Sequence, residues 1–223
     1  MEFLDLIFPK TCLSCGKEGS YICLGCLGKV DLLKPVCPYC ERPSIDGATH
    51  TKCQKKYGLD GLISIWEYEG VIRKAILALK YRYATEVGKE LANRLAVSLS
   101  KVVIPKASHL IPIPIFWYRQ NTRGFNQSVE IGRAVSVDLN IQFEPDLLIR
   151  KKPTVPQVEL TGSARRKNLR GVFSVNSGYP LSVIPHSLFL FDDVFTTGST
   201  LFEAAKTLKR AGVEKVWGLT IAR

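Results

Sequence analysis

The sequence predicts an α/β protein built on a parallel sheet, preceded by a small metal-stapled segment. Three observations carry that reading. The first is Leu188-Phe-Leu-Phe191, a short, wholly apolar run of the kind found in a strand covered on both faces. The second is a succession of strand-like and helix-like patterns from Tyr57 onwards. The third is a series of paired cysteines in residues 1–56, a stretch too short to fold well on apolar burial alone.

The chain has 223 residues, 46% hydrophobic and 23% charged, which fits an ordinary globular protein with one sizeable core and a small appendage. Its 31 Lys and Arg against 20 Asp and Glu give a formal charge of +11. The excess is uneven: residues 1–56 carry +2 and residues 57–223 carry +9. A basic C-terminal body suits a polyanion or a phosphate-rich ligand. No apolar run approaches the roughly 18 residues of a membrane span. Met1-Glu-Phe-Leu-Asp-Leu-Ile-Phe8 lacks a basic n-region and is broken by Asp5 and Pro9. It reads as a short amphipathic lead-in packed on the body, not as a signal peptide. A cytoplasmic, reducing setting is expected, in which the seven cysteines are not disulfides.

Cys12-x-x-Cys15, Cys23-x-x-Cys26 and Cys37-x-x-Cys40 are followed by a mixed pair, His50-Thr-Lys-Cys53. Two-residue gaps let both sulfurs of a turn point at one metal, and Gly16 suits the bend of a zinc knuckle. Four pairs supply eight ligands, enough for two closed, structural Zn²⁺ sites. Sequential pairing groups Cys12, Cys15, Cys23 and Cys26, then Cys37, Cys40, His50 and Cys53. A cross-braced pairing, first pair with third, fits the same spacing. His50 is included because its spacing supplies the partner that Cys53 otherwise lacks. Residues 1–56 are thus expected to be a double zinc ribbon, stabilised largely by metal.

Residues 57–223 form the body. Leu62-Ile-Ser-Ile-Trp-Glu-Tyr68 alternates like a strand. Gly70 to Tyr83 has helical spacing in Val71, Ile72, Ala75, Ile76 and Leu79, ending in Lys80, Tyr81 and Arg82. Thr85 is placed to cap a second helix reaching Leu99, with Val87, Leu91, Leu95 and Leu99 on one face. His109-Leu-Ile-Pro-Ile-Pro114 is a short strand stopped by prolines. Asn126 caps a helix over 127–138. Phe173-Ser-Val175 reads as a strand, Ser199 to Ala211 as a helix, and Lys215 to Ile221 as a final strand.

Two basic stretches interrupt this pattern. Phe116 to Asn126 interleaves Arg119 and Arg123 with Phe116, Trp117, Tyr118 and Phe125. Bases stack on aromatic rings while guanidinium groups hold phosphates, so this is a candidate single-stranded nucleic-acid surface. Residues 150–170 hold seven basic residues, among them Arg150, Lys151, Lys152, Arg165 and Arg166, against one acid, Glu159. They read as a loop able to fold over a bound anion.

The densest chemistry follows the apolar run. Asp192 and Asp193 sit where the strand is expected to end. Thr196-Thr-Gly-Ser-Thr200 then opens a helical pattern of Leu201, Ala204, Ala205 and Leu208. A strand, a tight turn and a helix N-terminus gather free N–H groups and a positive dipole end around one point, which suits a phosphate. Gly198 allows close backbone approach, and Thr197, Ser199 and Thr200 add hydroxyl donors. The carboxylates then stand about one sugar ring away, placed to accept from ribose hydroxyls or to help hold a Mg²⁺ carried by the ligand. No Lys follows the glycine, so this is not the nucleotide P-loop.

This stretch resembles the phosphoribosyl pyrophosphate (PRPP) motif of type I phosphoribosyltransferases. Over nearly its whole length the chain resembles the ComF family. The resemblance is carried by the paired-Cys ribbon, Tyr68-x-Gly70 with Leu79-Lys80-Tyr81, Ile111-Pro-Ile-Pro114 and Arg123-Gly-Phe-Asn-Gln127. The spaced Thr154, Gln157, Leu160, Arg165 and Asn168 and the PRPP motif complete it. His50 stands where a Cys is more usual in the family.

The resemblance implies a type I phosphoribosyltransferase-like fold, a twisted parallel sheet with helices on both sides, behind an N-terminal zinc ribbon. It implies PRPP binding with Mg²⁺ and a role in natural competence, handling incoming single-stranded DNA in the cytoplasm. A competence helicase or another DNA-processing protein is the partner such a role suggests. Thr196, Thr197, Gly198, Ser199 and Thr200 would hold the 5′-phosphate, and Asp192 and Asp193 the ribose hydroxyls. Arg123 and Lys80, or the basic 150–170 stretch, would stabilise departing pyrophosphate. The other two readings are a phosphoribosyltransferase acting on a small-molecule acceptor without DNA, and a non-catalytic docking factor.

Overall fold

The apolar run opens in the middle of the molecule. In this computed structural model, which describes residues 9–79, 84–115, 126–152, 171–179 and 184–223, five strands form one parallel sheet. In chain order the elements are α1 (Leu24–Leu27), β1 (Gly61–Trp66), α2 (Gly70–Ala78), α3 (Ala84–Leu99), β2 (His109–Pro112) and α4 (Gln127–Asp138). There follow β3 (Gln142–Phe143), β4 (Leu148–Arg150), β5 (Phe173–Val175), β6 (Ser187–Val194), α5 (Ser199–Arg210) and β7 (Lys215–Ala222). The sheet order is β1-β7-β6-β2-β3, every pair parallel, so β6 has two neighbours on each side.

That position accounts for the composition of β6. Side chains alternate across a strand, so a central strand with both faces covered is apolar throughout. Phe189 and Phe191 join Ile63, Ile65, Leu219 and Ile221 against the apolar faces of α2, α3 and α4. Leu188 and Leu190 face the other way and meet Leu201, Ala204 and Leu208 of α5. The sheet is thus flanked by helices on both faces, the α/β architecture the sequence predicts. The ribbon is continuous with the first core, into which it contributes Cys12, Ile22 and Val30.

Local signals hold in most places. The side chain of Asn126 accepts the N–H of Ser128 at 3.0 Å, capping α4 as expected. Two readings are corrected. Thr85 lies within the first turn of α3, which begins at Ala84, so it does not cap the helix. Strand β6 continues through both aspartates to Val194, because β7 runs alongside it that far and pairs Val194 with Ala222. Phe173–Val175 is the strand the sequence predicts; it pairs antiparallel with β4, apart from the main sheet, and packs beside α5. Neither β3 nor β4 was legible, since two or three residues are too few to show a period.

The lead-in at residues 1–8 lies outside the described residues, as do Lys80, Arg119, Arg123, Phe125, Arg165 and Arg166. Among the described residues no helix is long and apolar enough to cross a membrane.

Candidate functional site

Strand β6 carries its two carboxylates out at the C-terminal end of the sheet. Alternation places them on opposite faces. Asp192 continues the row of Leu188 and Leu190, toward α5; Asp193 continues the row of Phe189 and Phe191. Accordingly, Asp192 lines a shallow depression together with Thr196, Thr197, Gly198, Ser199 and Thr200, whereas Asp193 does not. Asp193 is felt on the other side, at Tyr68. Burial raises the pKa of that phenol, Arg73 lowers it, and the charge of Asp193 adds to the rise.

Both carboxylates are half-buried and held by the backbone. The N–H of Asp193 donates to Asp192 Oδ1 at 3.0 Å, and the N–H of Val194 donates to Asp193 Oδ1 at 2.8 Å. Burial pushes the Asp192 carboxyl well above the usual carboxylate range, and the negative charge of Asp193 adds to the effect. The guanidinium of Arg150, at the end of β4, pulls the other way.

After Phe195 the chain turns through Thr196–Thr200 into α5. Gly198 precedes the helix at φ 69°, in the left-handed region. A Cβ there would lie 2.5 Å from Phe202 Cε2 and 2.6 Å from Phe195 Cζ, so glycine is required by both conformation and space. No side chain caps α5 and its first turn holds no acid, so the first N–H groups retain their capacity for an anion. Thr197 Oγ1 and Ser199 Oγ share a hydrogen bond of 2.8 Å. The hydroxyls of Thr196 and Thr197 belong to exposed residues, so the bend is open and not filled by its own side chains. The depression encloses only about 10 Å³, so a ligand would rest on the loop. A roomier cavity of about 280 Å³ lies between the ribbon and β1, and no residue of the loop lines it.

The second arrangement of functional side chains is the ribbon. Cys12, Cys15, Cys23 and Cys26 converge, as do Cys37, Cys40, His50 and Cys53, with the ligand atoms of each set within 4.8 Å of one another. The pairing is sequential, not cross-braced. His50 fits its set: Nε2 lies 3.1 Å from the carbonyl oxygen of Pro43, which can only accept. That bond fixes the proton on Nε2 and leaves the Nδ1 lone pair facing Cys40 Sγ at 3.3 Å.

The thiols of each set share charge unequally. Burial works against a Cys12 thiolate, but the N–H groups of Cys15, Cys23 and Ser14 outweigh it and bring its pKa down to about 6. Hydrogen bonding to Cys15 and Cys23 pushes Cys26 up to about 12. In the second set burial likewise opposes Cys37, yet N–H donors of His50, Cys40 and Tyr39 lower it to about 7. Burial and the neighbouring thiols raise Cys53 to about 11. This thiol-rich, closed donor set suits Zn²⁺ in tetrahedral, structural coordination.

The comparisons with known proteins agree with this arrangement. Residues 3–54 match the double zinc ribbon domain. Competence protein F of Haemophilus influenzae is 30% identical over 234 aligned positions, covering 96% of this chain and 98% of that relative. The chain belongs to the ComF family. Further relatives are the DNA utilization protein YhgH of Escherichia coli O157:H7, 28% identical over 89% of both chains, and competence protein ComFC of Bacillus subtilis. The last is 25% identical over 88% of this chain and 81% of the relative. Among solved structures, the glutamine PRPP amidotransferase of B. subtilis aligns with 61% of this chain and 27% of its own, at 16% identity and a TM-score of 0.41. Adenine phosphoribosyltransferase of Leishmania tarentolae aligns with 68% of this chain and 75% of its own, at 15% identity and a TM-score of 0.33. These structural likenesses are too distant to assign chemistry.

In this ComF-family chain the fold brings Arg150, from the basic stretch the sequence singled out, close enough to bias Asp192. It also adds residues that pattern did not single out for the site. Phe195 and Phe202 wall Gly198. Glu90 of α3 accepts the N–H groups of Tyr21 and Ile22, beside Cys23, at 2.8 and 3.1 Å. A lone Glu on a helix carries no signal that its partner is backbone some seventy residues earlier.

Proposed function

We propose that this protein binds PRPP and acts in natural competence, handling incoming single-stranded DNA in the cytoplasm. The observation that carries the reading is the open, uncapped loop Thr196–Thr200 at the C-terminal end of the central strand, with Asp192 in the same depression. Ligands of open α/β sheets sit outside the carboxyl ends of the strands, where helix N-termini attract phosphate. The competence link is supported by the relatives named competence protein F and ComFC.

In this reading the loop's N–H groups and hydroxyls hold the 5′-phosphate. Because Asp192 and Asp193 lie on opposite faces, a ribose that meets both must lie across the end of β6. A Mg²⁺ carried by the ligand would be held with help from Asp192 and Asp193. In a transfer reaction an acceptor would attack C1 of the ribose, the C1–O bond would break, and pyrophosphate would leave with the electron pair. Positive charge develops on the ribose, and the aspartates stand nearby to offset it. Arg123 and Lys80 are assigned to pyrophosphate. Arg119, Arg123, Phe125, Arg165 and Arg166 are assigned to single-stranded DNA, with residues 1–56 as the ribbon domain and 57–223 as the ligand-binding body. A competence helicase or another DNA-processing protein is the expected partner.

The test is calorimetric titration of PRPP with Mg²⁺ into the wild type and the Asp192→Ala/Asp193→Ala variant. Removing two charged acceptors is expected to weaken binding at least ~100-fold. Equal affinity in the two proteins overturns the assignment.

A further inference from the structure

The second cluster and the hydroxyl loop are joined by a row of aromatic rings. Tyr39 lies within Cys37-Pro-Tyr-Cys40, between the first two ligands of the second set. Its ring stacks on Phe202 of α5, with centroids 4.7 Å apart and planes 9° from parallel. Its hydroxyl accepts the N–H of Leu59 at 2.9 Å, and the ammonium of Lys55 stands over the ring, 4.5 Å from the centroid. The tyrosine is therefore held at its tip and on its face. Phe202 in turn meets Phe195 edge-on, with centroids 5.9 Å apart at 86°. These are the two rings against which Gly198 is packed, so closely that a methyl group would overlap both.

We infer that Tyr39 is a positioning residue for the loop: it holds Phe202 against Gly198, and so fixes the left-handed turn from which the hydroxyls and first-turn N–H groups of α5 are presented. Stacked and edge-on aromatic pairs have defined geometry, so a ring seated between two others transmits position and not merely bulk. A left-handed turn at a glycine is otherwise easily lost, because glycine has the widest choice of backbone conformation. The metal enters through the backbone. A Zn²⁺ bound by Cys37 and Cys40 fixes the chain on both sides of Tyr39, so order in the second knuckle becomes order in the loop. The first knuckle has no such contact among the described residues. The inference rests on the reading of the loop as a phosphate site, and it names what keeps that site in shape.

The experiment compares the full-length wild type with Tyr39→Ala, Tyr39→Phe and Phe202→Leu. Three quantities are read: zinc per chain, amide hydrogen exchange over 196–202 without ligand, and affinity for ribose 5-phosphate. Tyr39→Ala is expected to keep wild-type zinc content, speed exchange in the loop about tenfold and weaken ribose 5-phosphate about tenfold. Tyr39→Phe keeps the ring and should stay within about twofold of wild type in both. Phe202→Leu replaces no ribbon residue and should reproduce the Tyr39→Ala exchange, which guards against a variant that merely misfolds the knuckle. Wild-type exchange in Tyr39→Ala overturns the inference, whatever Phe202→Leu shows. A wild type that does not bind ribose 5-phosphate overturns the phosphate reading instead, while the exchange data still decide the role of Tyr39.

Discussion

The two metal clusters share the two-residue gap within each ligand pair but lean on the body in different ways. The first is tied to the flank of α3 by polar contacts: the Glu90 carboxylate takes two backbone N–H groups beside Cys23, and Lys10 pairs with Glu86 at 3.3 Å. The second is tied to β1 and α5. Thr49 donates its N–H to Asp60 and its hydroxyl to Leu59, both at 2.8 Å, and Tyr39 stacks on Phe202. One contact surface sits on a helix with no link to the loop among the described contacts. The other sits on the helix that the loop begins. Equivalent knuckles are thus not equivalent in consequence: the first serves the fold, and the second serves the fold and the candidate site.

The largest effect expected from breaking this comparison is on metal content. Cys12→Ser and Cys37→Ser each destroy one four-ligand set, so each should drop zinc from two ions to one per chain, since structural sites lose much of their affinity with a ligand. Only Cys37→Ser should also loosen the amides of 196–200 in hydrogen exchange. If both variants loosen the loop equally, the two knuckles do not differ as described.

A smaller effect isolates the first docking surface. Glu90→Ala leaves the N–H groups of Tyr21 and Ile22 without their charged acceptor, a cost of about 2–4 kcal/mol in unfolding free energy. Denaturant melts would measure it, and loop exchange should remain at the wild-type rate.

The smallest effect probes the loop side alone. Burial and Asp193 raise the pKa of Asp192, so the folded state binds this proton more tightly than the unfolded chain does. The group therefore favours folding below the unfolded carboxylate pKa of about 3.9, and that contribution is lost as pH rises through the raised folded value. Relative to acid pH, Asp192 therefore costs stability at neutral pH. Asp192→Asn should raise Tm by about 2–4 °C near pH 7, a gain of about 1 kcal/mol, with the advantage shrinking as pH falls toward 4. Zinc content should not change. A loss of stability at neutral pH would show that the carboxylate is held favourably instead.

Much of the fold was legible because its signals are local. The apolar run of β6, the Asn126 cap and the helical spacing of α2 and α3 depend on neighbours a few residues away. The short strands β3 and β4 were missed because their pairing, not their composition, makes them strands. At the site, the loop and its glycine were visible. The separation of Asp192 from Asp193 was not, because it follows from how far β7 pairs alongside β6. His50 was readable from spacing, but its tautomer depends on Pro43, which only the folded knuckle brings to Nε2.

By itself the order of residues determined the parallel-sheet body, the metal-binding pairs and the hydroxyl-rich turn before α5, since each is written locally by period, spacing or turn chemistry. Tertiary structure alone decided which knuckle meets the helix that the loop begins, which acid shares the loop's depression and what walls its glycine. Those are contacts between segments far apart in the chain. They arise from packing α5 against both sheet and ribbon, and packing has no period to read.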